Sequence, residues 1–192
     1  MPYEIAKDRL DRLVEVAERW GVRVAYDWNE PEGARFIGTF TGREITLFPK
    51  YDSNFALFFT VAHLYGHMVQ LTHPTAGMRR SIDLVYRRGQ GPLAEDEVQC
   101  IYGYEIEAAG IGRRLLGELG PPEAAADAEY SRMFFADFHY LIDTIEGGPG
   151  GPESFARFLR REPVPWQCIQ PDPRPLVDLA VTPPEEISIR VL

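Results

Sequence analysis

The sequence predicts an α+β fold in which a small antiparallel sheet packs against a central buried helix. Three observations support this class. Residues 3–20 have the charged, amphipathic pattern of a surface helix, and residues 22–48 contain short alternating segments typical of strands. The next segment, Asn54–Thr72, is mostly apolar and contains no Asp, Glu, Lys or Arg, which is typical of a helix buried on all sides.

Local signals predict where the elements begin and end. Thr41-Gly42 separates two alternating segments and predicts a hairpin after a first strand over residues 22–28. Ser53 or Asp52 can cap the buried helix, and Pro74 favours its end. The remaining chain predicts an Arg-rich connection, helices at residues 93–116, 123–145 and 152–161, and edge strands near residues 176–181 and 187–191.

The length and charge of the chain limit its organisation and partners. With 192 residues it can form one domain around a single core. We expect residues 1–146 to form the main body and residues 147–192 to form a Gly/Pro-rich break, a short helix and a docking tail of the same domain. A net charge of −9 disfavours nucleic acid as the main partner, because phosphate binding needs a basic surface.

Composition also predicts a cytoplasmic protein without a membrane-spanning segment. The first residues lack the apolar run of a signal peptide. The buried helix approaches the length of a bilayer, but it contains His63, His67 and Gln70. Cys100 and Cys168 form no C-x-x-C pattern, so we expect reduced thiols.

The buried helix carries a candidate metal-binding pair. His63 and His67 are four residues apart, which places both imidazoles on one face, and two imidazoles so placed can hold one ion. The spacing is that of H-E-x-x-H, in which two His bind zinc and the Glu is the general base. Here Leu64 occupies the Glu position, so the ligand pair is present and the standard base is absent. Gly66, between the two His, would let another element approach closely.

A zinc site needs a third protein ligand, and the sequence offers two candidates. Glu107 lies on the following long helix; Glu105 is about 200° away around that helix, so only one of the two carboxylates can face the metal. His73 has the spacing of a metzincin ligand, but Gln70 stands where that motif needs Gly. His139 is a further candidate, as a hydrogen-bond donor near the metal.

The order of these motifs resembles the ImmA/IrrE family of zinc-peptidase-like domains. The family's H-E-x-G-H motif is similar here at His63, Gly66 and His67, and its later E-A-N-x-F-A-x-x-L-L motif is similar from Glu107-Ala108 to Leu115-Leu116. The resemblance covers roughly residues 3–117. It implies a zincin-like fold, with zinc held by His63, His67 and Glu107. Leu64 and Ala109 depart from the family pattern.

These observations predict a zinc-binding, metallopeptidase-like protein with weak or altered hydrolase activity. Two alternatives stay open. One is a non-catalytic, zinc-stabilised regulatory module that binds a protein or peptide. The other is a purely structural domain, in which the two His are core residues and Leu64 only packs. The sequence assigns no catalytic residue and no oligomeric state.

Overall fold

A computed structural model of the chain describes residues 5, 7–28, 38–48, 53–87, 91–121, 123–149, 152–160, 173–182 and 188–191. These residues form a mixed α+β fold that is mostly helical, which confirms the predicted class. In chain order the elements are α1 (Lys7–Arg19), β1 (Arg23–Tyr26), β2 (Gly38–Thr41), β3 (Glu44–Leu47), α2 (Asn54–Thr72), α3 (Ala76–Val85), α4 (Glu95–Glu118), α5 (Ala124–Ile145), α6 (Pro152–Leu159), a 3-10 turn (Leu176–Leu179) and β4 (Ser188–Val191).

The sheet has four strands in the order β1-β3-β2-β4. Strands β2 and β3 form the predicted antiparallel hairpin, whose turn contains Gly42 at a φ of 57°. The sheet is not wholly antiparallel, however. Strand β1 pairs with β3, the second strand of the hairpin, and runs parallel to it. The alternating pattern marks each strand but does not specify its neighbour, so the prediction of an antiparallel sheet was wrong for this pair.

The described part of the C-terminal region contacts the main body at several places, and helix α6 packs against α5. Strand β4, predicted as an edge strand, pairs antiparallel with β2. The other predicted edge strand is instead a 3-10 turn, in which Asp178 N donates to Pro175 O. Near this turn the Tyr65 hydroxyl donates to Leu179 O over 2.8 Å, and Thr182 N donates to Thr72 Oγ1 over 3.0 Å. Much of the predicted Gly/Pro-rich break and tail, including Cys168, lies outside the described residues.

Helix α3 occupies the segment that the sequence analysis treated as an Arg-rich connection. Thr75 caps its start by accepting a hydrogen bond from Met78 N. Only Met78, Ser81 and Leu84 are buried along it, and the helix packs against α4. The buried positions lie at i, i+3 and i+6, which is a helical pattern, but it is short and the charged residues of the segment indicated a connection instead.

Helix α2 forms the centre of the fold with the predicted bounds. Ser53 Oγ accepts from Ala56 N at its start, and every residue from Phe55 to Leu71 is buried. Helices α1, α4 and α5 and strands β2, β3 and β4 all contact it. None of the helices described here combines the length and apolarity needed to cross a bilayer.

Small residues bring the backbones of α2 and α4 into direct contact. A Cβ atom added to Gly66 would lie 2.3 Å from Ala108 O, far inside van der Waals contact. One turn along both helices, a Cβ added to Gly112 would lie 3.1 Å from Ala62 O of α2 and 2.0 Å from the Tyr130 hydroxyl oxygen of α5. The crossing therefore depends on two glycines, one from each helix, and confirms the close approach predicted at Gly66.

Gly66→Ala should destabilise the protein by about 1–3 kcal/mol, because the added methyl group forces the two helix backbones apart. The matched control is Gly103→Ala on α4, where an added Cβ meets no other atom within 4 Å. That substitution should stabilise the protein by about 0.5–1 kcal/mol, since Ala favours helix. Free energies of unfolding from denaturant titration check both values, and equal effects would contradict the close crossing.

Candidate metal centre

Three donor atoms from α2 and α4 converge inside the core. His63 Nε2, His67 Nε2 and Glu105 Oε2 are each 3.1 Å from the other two. All three residues are buried. Among the described residues, these three are the His, Cys, Asp or Glu side chains whose donor atoms lie close enough together to hold one ion.

The carboxylate in this group belongs to Glu105, whereas the sequence analysis selected Glu107. Glu105, Ala108 and Gly112 lie at i, i+3 and i+7, so all three are on the face of α4 that touches α2. Glu107 lies on another face, and its side chain is 51% exposed. The prediction that one carboxylate of the pair faces the His residues is consistent with this arrangement, but the choice between them is corrected.

Glu107 instead contacts Gln70, which orients one of the imidazoles. Gln70 Nε2 donates to Glu107 Oε2 over 2.8 Å and to Tyr104 O over 2.9 Å. Because the amide nitrogen faces these two acceptors, the amide oxygen of Gln70 faces His67 Nδ1 and accepts from it over 3.0 Å. The contact therefore places a proton on His67 Nδ1, so Nε2 is the ring nitrogen that would bind an ion. In the sequence Gln70 indicates only a departure from the metzincin motif, because its role at the site depends on contacts between α2 and α4.

The electrostatics of the site favour a neutral His63 and an ionised Glu105. Burial lowers the pKa of His63, although its hydrogen bond with Glu105 opposes the shift. Burial alone would raise the pKa of Glu105, but the charge of His67 and the hydrogen bonds from both imidazoles lower it to about 2. A neutral imidazole and an ionised carboxylate are the forms that ligate a cation.

The other candidates from the sequence lie outside this donor group. His73 is exposed at the C-terminal end of α2, where its backbone N–H donates to Gln70 O. His139 lies on α5 with its ring stacked on Phe158, at a centroid distance of 6.0 Å. The structure therefore does not place either residue with the His63 and His67 donors.

Two residues define the chemistry around the donors. Leu64, at the position of the motif glutamate, is fully buried in the hydrophobic core. Asp137 of α5 is buried as well, and its Oδ2 lies 3.9 Å from His63 Nε2. Asp137 is far from the His pair in sequence and lies within an aromatic segment, so no spacing pattern indicates it.

The chain matches no family model, no curated protein and no solved structure. Its function is therefore argued from the donor group and its surroundings.

Glu105→Gln should weaken zinc binding by more than about 100-fold. Loss of a residue that only hydrogen-bonds to a metal ligand already lowers metal affinity by about 10–100-fold, and Glu105 would bind the ion directly. Glu107→Gln is the matched control on the same helix. It should lower affinity by less than about 10-fold, since it alters contacts with Gln70 and Arg174 and none with the donor atoms. Competition against a chromophoric chelator measures both affinities, and a larger loss in Glu107→Gln would restore Glu107 as the ligand.

Leu64→Glu should lower the free energy of unfolding by several kcal/mol, because the new carboxylate enters an apolar core. Leu64→Met keeps the volume and should cost less than about 1.5 kcal/mol. Thermal and denaturant unfolding of the two variants check this difference. A Leu64→Glu protein as stable as wild type would show instead that position 64 can reach a polar cleft.

Proposed function

We propose that this protein binds one zinc ion through His63, His67 and Glu105, that the ion ties α2 to α4, and that hydrolytic activity is weak or absent. The observation that carries the proposal is the mutual 3.1 Å separation of the three donor atoms. In tetrahedral zinc sites, bonds of about 2.0–2.1 Å separate neighbouring ligand atoms by about 3.3–3.4 Å. The donors thus need to move apart by only a few tenths of an ångström.

The types of donor favour zinc over magnesium or calcium. Two imidazole nitrogens and one carboxylate oxygen form a common zinc ligand set, whereas magnesium and calcium prefer oxygen alone. Gln70 supports this choice, because its hydrogen bond to His67 Nδ1 resembles the outer contacts that orient metal-binding imidazoles. Copper, nickel or iron would accept similar ligands, so the identity of the metal is part of the proposal.

The chain's own residues limit catalysis. When bound, zinc supplies a Lewis acid that can polarise a carbonyl group. General-base catalysis contributes about 10²–10⁴-fold in hydrolases. In H-E-x-x-H enzymes the motif glutamate supplies the base, and in this chain Leu64 occupies that position. With the donors also buried, a role for the ion in holding the helices together accounts best for the site.

The zincin-like architecture and the relationship to the ImmA/IrrE family belong to this proposal. The order of elements supports them: a helix, a small sheet, the His-bearing helix and a later helix that supplies a carboxylate. The family motif matches this sequence at Glu107, whereas the carboxylate that joins the donors is that of Glu105, two residues earlier. This difference counts against the family relationship. A cytoplasmic location and a protein or peptide partner, rather than nucleic acid, rest on composition alone.

A hydrolase with weak or altered activity is the second candidate function. It is favoured by Asp137, a buried carboxylate 3.9 Å from His63 Nε2 that could act in place of the missing motif glutamate. Turnover of a peptide library by zinc-loaded protein, compared with chelator-treated protein, separates this candidate from a purely stabilising metal.

Purified, zinc-replete protein should contain about one zinc per chain, and less than about 0.2 would contradict the proposal. At free zinc about 100-fold above Kd, binding should add about 2.7 kcal/mol to the free energy of unfolding and raise Tm by about 5–10 °C. Elemental analysis and thermal unfolding with and without chelator check these values. His73→Ala is the control and should leave both unchanged, since His73 is exposed and lies outside the donor group.

A further inference from the structure

We propose that Asp137 is a fourth protein ligand of the same ion and leaves no coordination position for a substrate. The inference rests on the proposed zinc site and deepens it, because it turns a set of three ligands into a closed, structural site. Structural zinc sites are almost always four-coordinate with four protein ligands, whereas catalytic sites keep one position open.

The first support is distance. Asp137 Oδ2 lies 3.9 Å from His63 Nε2, about 0.5 Å beyond the ligand–ligand separation of a tetrahedral site, but the Asp137 carboxylate is not within 4.8 Å of all three donor atoms. Ligation therefore requires the Asp137 side chain to rotate toward His67 and Glu105 as well as toward His63. The three other donor atoms are slightly too close together, so a bound ion would draw Asp137 in while it moves the others apart.

Packing of α5 places Asp137 on the correct face. Tyr130 contacts the Phe59 ring edge-on at a centroid distance of 5.0 Å, and the Phe134 ring lies 6.2 Å from that of His63. Tyr130, Phe134 and Asp137 are at i, i+4 and i+7, so they share the face of α5 that meets α2. Core packing therefore directs this carboxylate toward the donors.

Charge is the second support. With neutral imidazoles, His63, His67 and Glu105 around a divalent ion leave a net charge of +1 in a buried site. Asp137, also buried, brings the sum to zero. Burial of an uncompensated charge costs several kcal/mol, so four ligands suit a divalent ion here better than three.

The alternative is that Asp137 acts as a general base without touching the ion. In that arrangement a reactant must fit between the carboxylate and the ion and must reach them from solvent. The exposed fractions of the four side chains are 0% for His63, 1% for His67 and 8% for both Glu105 and Asp137. This burial favours the closed site.

Cobalt(II)-substituted wild-type protein and two variants test the inference. Asp137→Asn removes the carboxylate, and Asp127→Asn makes the same change on α5 where the side chain pairs with Arg113 at 3.3 Å. Visible absorption of cobalt reports coordination number, competition with a chelator reports zinc affinity, and acetohydroxamate is the probe for an open coordination position.

We expect wild type and Asp127→Asn to share the intense spectrum of four-coordinate cobalt, unchanged by acetohydroxamate. Asp137→Asn should bind zinc at least about 10-fold more weakly, show an altered cobalt spectrum and respond to acetohydroxamate. The wild-type measurement decides the matter even if Asp137→Asn does not fold, because a wild-type spectrum that acetohydroxamate changes would overturn the closed site.

Two outcomes overturn the inference in different ways. If Asp137→Asn keeps wild-type zinc affinity and the wild-type cobalt spectrum, Asp137 is not a ligand, and the zinc site of His63, His67 and Glu105 stands. If wild type binds neither zinc nor cobalt, the proposed function fails along with the inference.

Discussion

The backbone contact between α2 and α4 determines the geometry of everything near the centre of the molecule. Gly66 meets Ala108 and Gly112 meets Ala62, and neither contact tolerates a larger side chain without movement. His67 follows Gly66 directly, and Glu105 lies one turn before Ala108. The two glycines thus fix the separation and rotation of the helices, and with them the distance between the imidazoles and the carboxylate.

A buried polar group needs partners, and several of the polar groups around the donors have them, whereas His63 Nδ1 and the Tyr104 hydroxyl have no hydrogen-bond partner among the described residues. His67 contacts Gln70, and Gln70 reaches Glu107, whose side chain is half exposed. A hydrogen-bonded path therefore leads from the donor atoms to the surface. The aromatic residues of α5 enclose the other side of His63. Such a network is most stable when its members are satisfied, and a divalent ion would satisfy the three donor atoms but not His63 Nδ1.

The parts of the fold that were predicted correctly are those with dense local signals. Asn54–Thr72 has a cap, a long apolar run and a following Pro, so its bounds were confirmed. The hairpin at Thr41-Gly42 was marked by its turn residues. Helix α3 buries only three of its ten residues, and the parallel pairing of β1 with β3 depends on a neighbour distant in sequence. The helical pattern of α3 is short and lies among charged residues, and the pairing of β1 with β3 leaves no local pattern.

The sequence by itself determined the pairing of His63 with His67, because helix geometry places residues four apart on one face wherever the helix lies. It also determined that Leu64 supplies no base. Only the tertiary structure decided between Glu105 and Glu107, since that choice depends on how α4 is rotated against α2. The same is true of Gln70 and Asp137, which reach the site through contacts between helices. Local spacing fixes angles within one helix, but side-chain packing fixes the angles between helices.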